Sequence, residues 1–243
     1  MAREARLLHA FLDFAESLAA TTAPSDIAID LTQRVAGLFA VDTAVVLGEA
    51  GGSLRAVAWS SEPGQRLAEL ETEHAEGPGH DAIRAVGCII ATDRDDALLA
   101  RWPRFAPEAA RIGLRSFAAV PLRRSGAALG ALALGATSPE ALAPDDVAVV
   151  QGLADVTALA IDEARAARHA RVVAEQLRTA LDARVVIEQA KGVVAHRARV
   201  SVDEAFVGLR RYARGRHQLL TDVARRVVEG ELDPEAVAHA RAR

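Results

Sequence analysis

Between Pro144 and residue 196 there is no further proline, and the only glycines are Gly152 and Gly192. Proline and glycine are the residues that interrupt helices most strongly. The run therefore predicts one helix much longer than the three or four turns usual in globular domains. Leu153, Ala160, Ala167, Ala174 and Leu181 stand seven apart along it. Val156, Ala170 and Leu177 fill the intermediate positions, where Glu163 and Arg184 are exceptions. This is an imperfect heptad seam. Its alanines allow close helix approach, and it predicts a parallel homodimer through a coiled-coil linker at residues 145–183. The competing reading is a kinked helix packed back on its own domain.

The long run also divides the chain by charge. Residues 1–164 carry 13 Arg and 23 Asp or Glu, a balance of −10. Residues 165–243 carry 15 Arg, Lys191 and 10 Asp or Glu, a balance of +6. An acidic front and a basic tail suggest two modules, with the tail the candidate for a polyanion. A basic helical bundle also arises without any nucleic acid. Alanine dominates an apolar fraction of 51%, and aromatics are 4%. Close backbone packing is expected more than ring clusters. Cys88 is the single cysteine, so no disulfide framework forms within the chain, which fits a reducing interior. No apolar run approaches the roughly 20 residues of a membrane helix. The opening "MAREARLLHAFLDF" has no apolar core with a cleavage site, and a cytoplasmic location is expected.

Before the long run, Leu7, Leu8, Phe11, Phe14, Ala15 and Leu18 follow helical spacing. "TTAPSD" ends that helix, Ser25 can cap the next, and Ile27, Leu31, Val35 and Leu38 form its stripe. "TAVVLG" and "LRAVAWSS" read as a hairpin around "GEAGGS". "EGPGHDAIRAVG" turns into a short helix, and "CIIATD" is a strand on which Cys88 reads as a small buried hydrophobe. "ALLARWPRFAPEAARIG" is a loop and helix broken at Pro103 and Pro107. "RSFAAVPLRRSGAALGALALGA" is a second hairpin. Helices followed by hairpins with helical insertions predict an α+β domain on an antiparallel sheet.

Past residue 200 the signals are those of a small helical bundle. Ser201 and Glu204 have capping-box spacing, with Val202, Phe206, Leu209 and Ala213 as the expected buried stripe. Thr221 can cap a helix carrying Val223, Val227 and Val228, which stops at Gly230. Asp233-Pro234 begins a last short helix.

The segment "RVVIEQAKGVVAHRARVSVDEAF" (184–206) joins the two parts. At 100° per residue Arg184, Glu188 and Lys191, the chain's one lysine, share a face. Arg184–Glu188 and Glu188–Lys191 have pairing distance along the helix. Gly192 weakens the helix by up to ~1 kcal/mol and offers close approach to another helix or a ligand backbone. A compact ammonium suits a phosphate, although a lone lysine on a charged face is ordinarily just solvated. Arg210 and Arg214 share a face with Val207, and Arg197, Arg211 and Arg216 add charge nearby. Arginine grips phosphate or guanine and stacks on unpaired bases. Tyr212 could stack on a base or pack in a core.

The pattern R-x-x-I-E-Q-A-K-G, then S-x-D-E-A-F-x-x-L-R, then L-x-D-V-A resembles an ANTAR domain. "EGPGHDAIRAVG", "RWPRFAPEAARIGLRSFAAVPLR" and "GAALGALALG" resemble a GAF domain. The arrangement is similar to that of actinobacterial transcription antitermination regulators. The resemblance implies a GAF-like sensory domain at 1–164, the linker, and a small all-α RNA-binding ANTAR bundle at 177–243. It implies binding of paired hairpin loops in nascent mRNA, through Arg184, Glu188, Lys191, Arg197, Arg210, Arg211, Tyr212, Arg214, Arg216 and Gln218. Relatives carry asparagine and basic residues before L-x-D-V-A; here these positions are His217-Gln218-Leu219, with one or two charges fewer.

A GAF resemblance implies a pocket for an unnamed small-molecule or protein signal. Trp59, His80, Cys88, Asp93 and Trp102 are the candidates, and no His/Cys/Asp spacing suggests a metal. Relatives often have cysteine where this chain has Gly79. No cofactor is expected. No P-loop, H-E-x-x-H or G-x-S-x-G is present, and methionine sulfoxide reduction, known among GAF proteins, needs several cysteines. A non-enzyme is expected. The alternative to an RNA binder is a protein-interaction regulator with a partner-binding helical tail.

Overall fold

The computed structural model describes residues 2–21, 23–39, 41–50, 53–95, 97–139 and 142–240. The chain forms two compact units, divided between Ala167 and Arg168. The first contains α1 (Ala2–Ala20), α2 (Pro24–Phe39), β1 (Thr43–Ala50), β2 (Ser53–Trp59), α3 (Glu62–His74), α4 (Pro78–Ala85), β3 (Ile89–Thr92), α5 (Leu98–Arg101), α6 (Phe105–Arg111), β4 (Ser116–Arg124), β5 (Ala127–Ala136) and the first turns of α7 (Pro144–Ala198). The second contains the later turns of α7, α8 (Val202–Gly215), α9 (Leu220–Val228) and α10 (Pro234–Ala238).

The strands form one sheet in the order β2-β1-β5-β4-β3, antiparallel throughout. The fold is α+β, as expected. β4 and β5 turn at Ser125-Gly126, with φ of 51° and 84°, the two left-handed residues a tight I′ hairpin requires. The two-residue period then sends neighbours to opposite faces. Ala118, Val120, Leu122, Leu132 and Leu134 pack with Phe14, Ile27 and Leu31 of α1 and α2, and with Val147, Val150 and Leu153 of α7. Phe117, Ala119, Ala131 and Ala133 join the core formed with α3–α6. Both faces are covered, which is why these strands read as continuous apolar runs. Alanine lets the second layer of helices approach the sheet. Trp102, Phe105 and Phe117 fill the remaining volume edge to face, with centroids 5.4–6.2 Å apart. Ring clustering is thus concentrated in one place.

Several expectations need correction. α2 starts at Pro24, so Ser25 lies inside it, its hydroxyl donating to Asp26 Oδ1 at 3.3 Å. Pro107 does not break a helix. It stands in the first turn of α6, where its missing N–H has no intrahelical partner to lose. Cys88 is exposed, and its thiol donates to Gln151 Oε1 of α7 at 3.3 Å. Gln151 is buried and donates to Pro121 O at 2.9 Å and to Asp155 Oδ1 at 2.7 Å. Leu153, the first heptad position, is core, as are Ala158 and Ile161. Every residue from 165 to 182 is exposed. Uncovered large apolar side chains on α7 are therefore concentrated further on, at Val172, Val173, Leu177, Leu181 and Val185.

Five helices end with the same bond, from an N–H back to the carbonyl five residues earlier: Gly87 to Ala82, Leu114 to Ala109, Val200 to Ala195, Gln218 to Ala213 and Glu231 to Arg226. The residue before each donor is left-handed: Val86, Gly113, Arg199, His217 and Gly230. This is the Schellman ending, which favours glycine at that position. Three of these five have a side chain there instead.

Candidate nucleic-acid interface

The second unit is built around Ala190 and Val194 of α7, Ala205, Leu209, Tyr212 and Ala213 of α8, Val223, Ala224 and Val227 of α9, and Leu232 and Val237. Gly208 sets the rotation of α8, because a β-carbon there would stand 2.9 Å from the Val237 carbonyl oxygen. The inward face therefore runs through Ala205, Gly208 and Tyr212, not through the predicted Val202 and Phe206. Val202 is exposed and Phe206 half-buried. Tyr212 is 7% exposed and belongs to the core. Its ring is covered by Arg216, with the guanidinium carbon 3.7 Å from the centroid. The capping box forms: Ser201 Oγ accepts from Glu204 N at 3.2 Å, and Glu204 Oε2 accepts from Ser201 N at 2.8 Å. The Ser201 backbone N–H, and then its hydroxyl, which donates to Glu204 Oε2 at 2.8 Å, hold the Glu204 carboxyl below its usual range. Thr221 lies inside α9, whose cap is Leu219, exposed and without a side-chain bond. Asp233 Oδ1 caps α10, accepting from Glu235 N at 3.1 Å.

Around this core one polar constellation forms. Lys191 Nζ and Arg210 Cζ lie 5.3 and 5.7 Å from the centroid of the Phe206 ring, within cation–π range. Both oxygens of Glu188 accept from Lys191 Nζ, at 3.0 and 2.9 Å. The lysine side chain is 16% exposed and the glutamate side chain 55%. The predicted Arg184–Glu188 pair is absent among the described residues, because Glu188 turns to Lys191. Arg184, Arg197, Arg214 and Gln218 are exposed. Arg211 donates to the Ala240 carbonyl at 3.2 Å. Glu188, Lys191 and Arg210 are thus brought together, and the residue that joins them, Phe206, was not among the predicted ones. Its four-residue spacing from Arg210 was a signal for it; the contact with Lys191 is tertiary.

A groove of about 960 Å³ in the same unit is lined by Gly192, Val193, His196 and Arg197 of α7 and by Val228 and Asp233 across from it. A β-carbon on Gly192 would meet no heavy atom within 4 Å. Packing within the chain does not call for this glycine.

In the first unit the five predicted pocket residues are scattered. Trp59 is 42% exposed at the end of β2, and Trp102 is 1% exposed in the core. Trp102 Nε1 donates to Asp81 Oδ2 at 3.1 Å. Asp93 pairs with Arg115 at 2.7 Å. Cys88 faces α7 through Gln151. His80 stands on α4, its pKa lowered by burial. His80 Nε2 is buried without a partner among the described residues, and so is Oε2 of Glu71. Glu71 is fully buried, and burial raises its pKa to about 8. A cleft of about 430 Å³ elsewhere is lined by Ile90, Ala91, Asp95, Ala97, Leu98 and Arg101. Sequence reasoning selected chemically conspicuous side chains and passed over Glu71, whose environment is set by three-dimensional enclosure.

A family model of the GAF domain matches residues 12–162, more than half of the chain. The chain belongs to the GAF domain family. A model of the ANTAR domain matches residues 175–228, which span the later turns of α7, α8 and α9. Both are regulatory domains, and this GAF–ANTAR protein is a regulator with a sensory domain. A search of curated proteins found no match. Among solved structures, the GAF domain of a phosphoenolpyruvate-protein phosphotransferase from Coxiella burnetii is similar at 18% identity and a TM-score of 0.55, covering 67% of this chain and 96% of that one. The corresponding Acinetobacter domain is similar at 13% identity and 0.51, covering 65% and 94%. The free methionine-R-sulfoxide reductase of Neisseria meningitidis, solved with its substrate, is similar at 15% identity and 0.50, covering 63% and 87%. Likenesses this distant concern the fold. No helix among the described residues is long and apolar enough to cross a membrane.

Proposed function

We propose that this GAF–ANTAR protein is a non-enzymatic, cytoplasmic transcription antiterminator. In this reading residues 177–243 bind paired hairpin loops in nascent RNA as part of a homodimer, and a small-molecule or protein signal at residues 1–164 controls them. The observation that carries the reading is the meeting of Lys191 and Arg210 at Phe206 within the part of the chain that has a balance of +6. Arg184, Arg197, Arg214 and Gln218 supply further exposed donors, while Arg211 and Arg216 are held by contacts within the unit. The burial of Tyr212 removes it from the set. The uncovered Leu177 and Leu181, 61% and 63% exposed, support a dimer through the exposed turns 165–182, the earlier linker turns being packed in the core of the first unit. Two tails held together match an RNA with two loops, and pairing raises affinity through effective concentration.

RNA titrations across a salt series test this. A paired-hairpin RNA should give a steep negative slope of log affinity against log salt. Lys191→Ala and Arg210→Ala should each weaken binding by ~1–3 kcal/mol with the fold intact. Unchanged affinity in both variants would sink the assignment. A second reading, a tail that docks a protein, is favoured by the groove beside Gly192. It predicts no specific binding of the hairpin RNA.

A further inference from the structure

We infer that Glu188 is a specificity-determining residue of this interface: it occupies the Lys191 ammonium, and a phosphodiester gains that ammonium only by displacing the carboxylate. The inference rests on reading the ANTAR unit as a phosphate-binding surface.

Lys191 is held from two directions. Both Glu188 oxygens lie within 3.0 Å of Nζ, and the Phe206 ring lies 5.3 Å away. An ammonium has three N–H donors and no other polar capacity. With the carboxylate and the ring around it and the side chain only 16% exposed, an incoming phosphate meets an occupied cation. Yet Glu188 is itself 55% exposed, and a pair open to water on one side is weak. The barrier is therefore shallow. An isolated phosphate, offering one contact, gains little by replacing one anion with another. An RNA that also engages Arg210, on the same ring at 5.7 Å, has a second contact to offset the exchange. Glu188 thus suppresses binding of indiscriminate polyanions more than binding of an RNA that fits. Such discrimination by a repulsive element is a common source of specificity.

The test uses the full-length protein with three probes: inorganic polyphosphate, poly-U RNA and a paired-hairpin RNA. The variants are Glu188→Gln, Lys191→Ala, the double variant, and Glu229→Gln. Glu229 is exposed and pairs with no cation among the described residues, so its variant makes the same charge change away from Lys191. Glu188→Gln should tighten polyphosphate and poly-U by about three- to tenfold, and the hairpin less. Glu229→Gln should change all three by less than about twofold. In the Lys191→Ala background the Glu188→Gln gain should vanish, the signature of direct coupling. Equal effects of Glu188→Gln and Glu229→Gln, a gain that survives without Lys191, or no polyanion binding by Glu188→Gln would each overturn the inference. The polyphosphate arm separates it from the RNA reading. Coupling on polyphosphate with no preference for the hairpin over poly-U leaves the carboxylate's role standing and removes the hairpin reading. A hairpin preference without coupling does the reverse.

Discussion

A β-carbon on Gly77 would stand 2.7 Å from Cγ of Glu71. Gly77 has φ 126°, a conformation for glycine, and its bare backbone closes over the carboxyl. Gly79 N donates to Glu71 Oε1 at 3.2 Å, but burial dominates and raises the pKa from 4.5 to about 8, with the charge of Asp81 adding to the rise.

Stability of the GAF unit should therefore depend on pH through Glu71. The folded state keeps a proton that the unfolded chain releases near 4.5. The contribution is fully present below that value, falls as pH rises through the window, and is lost above about 8. Glu71→Gln keeps the shape without an ionisable group. It should match the parent near pH 5 and exceed it by a few kcal/mol, on the order of 3, near pH 8. Urea melts at both pH values check this; parallel pH dependence of the two proteins would contradict it.

Val86 carries the most strained of the left-handed helix endings, with φ 49° on a β-branched residue. Val86→Gly should stabilise the GAF unit by about 1 kcal/mol, read as a higher denaturation midpoint at unchanged slope. A loss of stability would mean that the half-buried valine side chain outweighs its backbone strain.

Gly192→Ala should raise the stability of the ANTAR unit by up to ~1 kcal/mol, since alanine is the better helix former and nothing stands within 4 Å of the new methyl. If RNA approaches the bare backbone, the same variant should bind it more weakly. Thermal melts and RNA titrations of one preparation would show the opposed effects.

Leu177→Glu or Leu181→Glu should leave each protomer folded, because both side chains are more than half exposed. Either should weaken the dimer by putting a charge into its seam. Light scattering gives the answer, and a monomeric parent protein at micromolar concentration would rule the seam out.

Local signals were legible in the sequence. The Ser201–Glu204 box, the Asp233 cap, the Ser125-Gly126 hairpin and the strand order of the two hairpins all depend on residues close together in the chain. Helical phase was less so. Val202 and Phe206 fit an apolar stripe, but Gly208, packed against Val237, rotates α8 away from it. After α4 the left-handed position falls on Val86 and not on the glycine that follows it, a placement that no local pattern announced. The constellation at Phe206 depends on α7 meeting α8, and no spacing within either helix encodes that. Leu153 shows the limit of heptad counting: a core-facing stripe and a dimer seam have nearly the same period.

The uncovered turns of α7 from residue 165 to 182 also bear on how this protein is degraded. A stretch of that length with nothing packed on it is only marginally helical in water, and it contains Arg165, Arg168, Arg171 and Arg178. Trypsin should cut there first and release the two compact units as separate fragments. A partner helix laid along Leu177 and Leu181 would shield those bonds. Proteolytic lifetime should then rise with protein concentration, coupling the abundance of this regulator to its persistence.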